Sequence, residues 1–367
     1  ERGLLDSRFD QFASSIERID IQQAEAFDAR DQVAIVEAVA DAVGFDSLNS
    51  IVITELTRLF TQLAKDSVPR AMQCHGEDSL QASILALIVG EFLGEVSELD
   101  AALVFLRFAV QKLGKGASSS TEGEWAPRLN GAKHSLGWTA GKALGDWGMA
   151  SKLYAEAHAG RRGLFGDEGK DTLSTARRLG WSLVQKHRGD GDEASLADAV
   201  AILRQVSEAS TRLKMNQGVV IQADRCLAEA LHAAGHLEES RQLYEDVVGR
   251  CETFFGKQHR RTLVATDGLA MVMADHTPDS TEEAIALMQH VAAVKAIKIG
   301  KNHHSTVISD FNTACLMAQA QRTGDEAWRL LNSAIARGYC NAWHRAVMAR
   351  SSHLSGLRET CTEAWRL

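Results

Sequence analysis

The feature that most constrains this chain is a block that recurs through its second half. Phe165-Gly166-Asp167-Glu168-Gly169-Lys170-Asp171-Thr172, Phe255-Gly256-Lys257-Gln258-His259-Arg260-Arg261-Thr262 and Ile299-Gly300-Lys301-Asn302-His303-His304-Ser305-Thr306 each place a threonine six residues after a glycine. The glycines are 90 and 44 residues apart, so one degenerate unit, around Met215 to Ile221, fills the wider gap. A Leu-Gly-Trp triplet keeps the same beat, with Leu136 and Leu179 separated by 43 positions. A period of this length belongs to an array in which each unit stacks only on its neighbours.

Within a unit the apolar spacing is helical. Leu227, Ala230, Leu231 and Ala234 mark one helix, Gly235-His236 turns, and Ser240, Leu243, Tyr244, Val247 and Val248 mark a second. Small residues near the start of the second helix, such as Ala150, Ala284 and Ala327, let the paired helices approach closely. Each pair is amphipathic and cannot bury its apolar stripe alone, so the pairs must stack. With only three prolines and no strand pattern, the chain reads as all-α.

These residues resemble tetratricopeptide repeats, in particular the long variety of kinesin light chains and many bacterial regulators, with repeats of about 42–45 residues. That variety carries a Gly-x-x-His-Pro-x-Thr loop between helix pairs. His259 and His303 fall on its histidine, and Thr172, Thr262 and Thr306 on its threonine. Arg260 and His304 replace the proline, and Gly169 replaces the first histidine. The resemblance implies a right-handed α-solenoid of antiparallel helix pairs, a tetratricopeptide-like superhelix over residues 78–358.

Residues 1–77 show no repeat, although Leu5, Phe9, Phe12, Ile16 and Ile19, then Val33 to Val43 and Ile51 to Leu63, are helically spaced. They are expected to form an irregular helical N-terminal cap. A glycine- and serine-rich stretch near 114–125 predicts a flexible insertion, and 359–367 a C-terminal tail. The chain lacks an initiator methionine, and Phe311 to Tyr339 looks like a closing repeat. The expectation is a processed protein, or a piece of a longer one that ends with its array.

The net charge of −8 argues against a nucleic-acid binder. No apolar run is long enough to cross a bilayer, so no membrane insertion is expected. The cysteines, Cys74, Cys226, Cys251, Cys315, Cys340 and Cys361, form no close pair, which fits reduced thiols in the cytoplasm.

Catalytic and cofactor motifs are missing. The glycines of 160–170 fail as a phosphate loop, because Leu164 stands where a glycine is needed and Asp171 where Ser or Thr would hold magnesium. His232 and His236 are four apart, but Gly235 breaks the helix between them. The sequence therefore predicts no enzyme, no metal and no cofactor.

What a stack of helix pairs offers is a concave wall lined by the first helix of each unit. By register with the family, the groove positions lie two before and two after each unit's key leucine. These are His134 and Trp138, Arg177 and Trp181, Arg225 and Glu229, Asp267 and Met271, with Phe311 and Asn312 in the last unit. Trp138 and Trp181 read either as an aromatic wall for a ligand or as packing between repeats. A second feature is a basic loop ridge, Lys257, His259, Arg260, Arg261, Lys301, His303 and His304, expected to gain charge below the histidine pKa near 6.5.

The function expected is a protein-interaction scaffold that holds a partner peptide or protein segment in the groove. Two alternatives stay open: a regulatory array attached to another domain, for example a serine/threonine kinase, and a structural subunit of a larger assembly.

Overall fold

The computed structural model describes residues 45–119, 123–320, 324–338 and 342–350. Among them are fourteen α-helices, one short 3-10 turn and no strand. The chain divides into two compact units, residues 1–139 and 140–367. Expectations for residues 1–44 and for the tail after 350 lie outside the described residues.

The first unit holds α1 (Phe45–His75), α2 (Leu80–Glu95) and α3 (Leu99–Ser119), and the division falls within α4 (Trp125–Leu144). Ser79 starts α2 by accepting a hydrogen bond from the Ala82 amide at 3.2 Å. The stretch expected to be flexible is helical as far as Ser119. The reason is packing: the Trp125 ring lies so close to Gly116 that a Cβ there would sit 2.0 Å from it. The glycine read as a mark of flexibility is the seat of an indole.

The second unit continues with α5 (Trp147–Phe165), α6 (Lys170–Asp190), α7 (Glu193–Arg212), α8 (Gln217–Ala233) and α9 (Leu237–Phe255). It is completed by α10 (Arg260–His276), α11 (Thr281–Ile299), α12 (His304–Gln319), α13 (Gly324–Ala336) and α14 (Ala342–Arg350). From α5 to α13 each helix packs on the next in the chain. The first helices of successive pairs also touch in order, α6 on α8, α8 on α10, and α10 on α12. They therefore share one face, and the second helices α7, α9, α11 and α13 flank it. This is the all-α repeat solenoid that the period demands.

Small residues set the spacing of the layers. Ala150, Ser240, Ala284 and Ala327 are buried, and the Ser240 hydroxyl donates to the Ala228 carbonyl at 2.7 Å. The glycine of the second Leu-Gly-Trp triplet does related work. A Cβ on Gly180 would lie 2.6 Å from Cγ of Leu203 in α7, and one on Gly268 would lie 2.4 Å from the Tyr244 ring. Gly268→Ala gains about 1 kcal/mol in helix propensity but overpacks a ring that cannot yield, at about 1–3 kcal/mol. Urea unfolding is expected to show a net loss; a more stable variant would mean the Tyr244 ring can move aside.

Candidate functional site

The recurring block proves to be a helix-starting device. Gly256 and Gly300 sit at φ 92° and 93°, where only glycine is unstrained, and end α9 and α11. Three residues on, His259 and His303 are the N-caps of α10 and α12. Their Nδ1 atoms accept from the amides of Arg261 at 3.2 Å and Ser305 at 3.1 Å. Thr262 and Thr306 then donate back to the carbonyls of Gly256 and Gly300 at 2.7 and 2.9 Å. In the unit with Gly169 in place of histidine, no side chain caps α6.

The basic ridge is thereby only partly as expected. Lys257, Arg260, Arg261 and Lys301 are exposed, while His303 is half-buried; the side chain of His304 lies outside the described residues. The Phe255 ring stacks on His259 at 4.7 Å and faces the Arg261 guanidinium at 5.0 Å. Burial lowers the pKa of His259, helped by Arg261 and Arg260. Burial also lowers that of His303, helped by the Arg260 charge of the neighbouring loop. Both shifts work against the gain of histidine charge on acidification that the sequence predicts for the ridge.

The consequence for stability has a definite sign. With folded pKa values below the unfolded value of about 6.5, the contribution of these caps is complete above that pH and is lost as pH falls through the depressed values. His158 and His344 are lowered by burial as well, His344 to about 4. The melting temperature is expected to fall from pH 7.5 to pH 5. The fall should be smaller in His259→Asn/His303→Asn, where asparagine caps without titrating. Equal falls would show that the caps do not titrate.

On the first-helix face, one buried carboxylate organises the site. Glu229 of α8 accepts from four side chains: Trp181 Nε1 at 3.0 Å, Gln185 Nε2 at 3.0 Å, Arg188 Nη1 at 2.7 Å and Arg225 Nη1 at 3.0 Å. Burial alone would raise its pKa, but Arg188 and Arg225 outweigh that and bring it down to about 2. The carboxylate is therefore ionised at any ordinary pH, and it fixes α6 to α8.

A second cluster lies between α10, α11 and α12. Lys295, 1% exposed, contacts Asp267 and donates to the Ser309 hydroxyl at 2.9 Å, and Ser309 donates to Asp267 at 2.8 Å. Burial pushes the Asp267 carboxyl up against the pull of Lys295 and Ser309. Its Oδ1 has no hydrogen-bond partner.

Among the predicted groove residues, Arg177, Trp181, Arg225, Met271 and Asn312 are half-buried on the first helices of the second unit, and His134 and Trp138 are half-buried on α4. Glu229, Asp267 and Phe311 are instead buried, at 9%, 6% and 5% exposure. The two carboxylates serve bonds within the stack, and Phe311 belongs to the apolar cluster of α10–α13. Trp181 meets Trp147 edge-on, with ring centroids 5.0 Å apart at 89°, so its indole packs within the unit as well as lining the face.

Gln185, Arg188, Lys295 and Ser309 were not singled out by sequence. The available sign was the period itself. Bonds join residues about one repeat apart: Gln185 to Glu229 (44), Arg188 to Glu229 (41), Ser309 to Asp267 (42) and His232 to Asp275 (43). A polar ladder between neighbouring repeats is visible as donor and acceptor types one period apart.

Among the described residues, no group of three or more His, Cys, Asp or Glu is placed to hold a metal ion. Four free cysteines are described, with Cys74 exposed and Cys226, Cys251 and Cys315 buried. None of the described helices is long and apolar enough to cross a membrane.

A family profile for the tetratricopeptide repeat matches residues 225–261, the stretch from within α8 to the first residues of α10. No curated protein matches the chain. Among solved structures, a Rap protein complexed with competence and sporulation factor is similar at 11% identity and a TM-score of 0.54, over 83% of this chain and 84% of that one. Nearly identical TPR-like repeats from a Podosopora anserina chain named for kinesin light chain are similar at 23% identity and a TM-score of 0.42, over 59% and 98%. BtubC from P. vanneervenii is similar at 14% identity and a TM-score of 0.45, over 65% and 90%. Residues 225–261 thus match a tetratricopeptide repeat, and the helix pairs on either side of it stack in order into the same kind of all-α repeat solenoid.

Proposed function

We propose that the chain is an interaction scaffold that holds a segment of another protein on the face formed by α6, α8, α10 and α12. The observation that carries this is the half-buried set Arg177, Trp181, Arg225, Met271 and Asn312, spread over four successive helices of that face. Trp181 and Arg225 are held by Glu229, so this part of the face is ordered before any partner arrives, which lowers the entropy cost of binding. A protein of the same fold was solved in complex with competence and sporulation factor, which supports a ligand-holding role. His134 and Trp138 of α4 form a further candidate patch on their own, and the exposed Lys257, Arg260, Arg261 and Lys301 a basic one suited to acidic partners.

Arg177→Glu/Asn312→Ala tests the reading without touching the Glu229 network. Captured from source-cell lysate and compared by quantitative mass spectrometry, a specific partner is expected to fall at least tenfold with helix content unchanged. Partners retained in full by this variant, and lost in Lys257→Glu/Arg260→Glu, would move the site to the loop ridge.

A further inference from the structure

Arg350, in the last described helix, donates from Nη1 to the carbonyl of Asp190 at 3.1 Å, across 160 residues of sequence. This is the end of α14 meeting the end of α6, and α14 packs along α6. Its guanidinium lies so close over Gly191 that a Cβ there would sit 1.9 Å from Nη2. Met348 is 5% exposed and joins the buried cluster of α10–α13 that includes Ala270, Phe311 and Leu331. His344, one turn earlier, is also 5% exposed. Thus α14 buries one stripe, His344 and Met348, and turns Arg345 and Ala349 outward. It bridges α6 and the α10–α13 cluster.

The chemistry of the contact is specific. The end of α6 presents the negative end of the helix dipole and the Asp190 carbonyl that Arg350 meets, beside the Asp190 and Asp192 carboxylates, which also pair with Lys186. A guanidinium is the natural complement, and the apolar cluster beyond takes an unbranched side chain such as methionine.

We infer that the first-helix face takes a short amphipathic helix ending in a basic residue, and that α14 is the chain's own occupant, displaced when a partner helix of that chemistry docks. The inference rests on the proposed partner-binding role of this face and specifies the class of partner. Only residues 339–341 and the turn at Arg337 and Gly338 separate α13 from α14, so the tether is short and the effective concentration of α14 is high, on the order of mM. A partner helix therefore meets a face that is mostly occupied, and its apparent affinity is reduced by the open fraction.

The test uses the full chain and a fluorescein-labelled synthetic peptide of residues 341–352. Wild type is compared with Arg350→Glu and with Met348→Asp, in which the chain's own α14 is disfavoured while the peptide keeps the native sequence. Hydrogen exchange is expected to show α14 and the last turn of α6 losing protection in both variants, with α10 and α12 still protected. The peptide is expected to bind the variants at least tenfold more tightly than wild type. An α14 already unprotected in wild type would overturn the docking. Lost protection in the variants without tighter peptide binding would overturn the claim that the face accepts a helix in trans. Neither outcome would touch the wider partner-binding role, which Arg177→Glu/Asn312→Ala tests separately.

Discussion

Replacing Glu229 with alanine is expected to destabilise the second unit by about 3–5 kcal/mol, the usual cost of removing one partner from a buried ion pair. The carboxylate is 9% exposed and accepts from Trp181, Gln185, Arg188 and Arg225. Without it the Arg188 and Arg225 guanidinium groups lose their shared carboxylate, and Arg225 already has an Nε without a partner. Because α6 and α8 are joined here, the loss should fall locally. In a stacked array, stability is a sum of units and their interfaces, so urea unfolding should broaden or split into two steps. Glu229→Gln keeps the shape and one acceptor, and should lose less. A loss under about 1 kcal/mol for the alanine variant, in the range of exposed pairs, would mean that water reaches the carboxylate and that the site is not preorganised.

The second large effect is expected at Lys295. Lys295→Met leaves the Asp267 carboxylate buried with Ser309 as its remaining donor, at a cost again of about 3–5 kcal/mol near neutral pH. Here the pH dependence is diagnostic. The folded pKa of Asp267 is already raised by burial, and removing the ammonium raises it further. A group with a raised folded pKa binds more protons when folded, so the penalty is full above that pKa and shrinks as pH falls through it. The gap between Lys295→Met and wild type should therefore narrow on acidification. Asp267→Leu/Lys295→Met should recover most of the loss, since apolar replacement of a whole buried pair is often neutral. Failure of the double variant to recover would show that the cluster contributes more than its charge balance.

The two variants also mark where sequence reasoning succeeds and stops. The fold is legible because the apolar pattern and the glycine, histidine and threonine spacing are local, and each unit repeats the same local rules. The loops are legible as positions, and their chemistry follows once the histidines are seen as caps. Asp267 and Glu229 are another matter. Register places both on the first helices, yet their burial depends on what the neighbouring helices bring. Lys295 comes from α11, and Arg188 from a helix one repeat earlier. A pattern read along one helix does not contain those partners; a search at one period would have found Gln185, Arg188 and Ser309. The docking of α14 on α6 lies further out of reach, since nothing within 160 residues of intervening sequence prescribes that Arg350 should meet Asp190.

The central claim is that partners are held on the first-helix face, and site-specific photo-crosslinking tests it most directly. A photoreactive amino acid is placed at Asn312 or Arg177 on that face, or at Arg204 on the second helix α7, in otherwise unaltered full chain. Irradiation in source-cell lysate is expected to give a common protein adduct from Asn312 and Arg177 and none of it from Arg204. An adduct of equal yield from Arg204, or from Arg204 alone, would contradict the account and place the binding surface on the second helices.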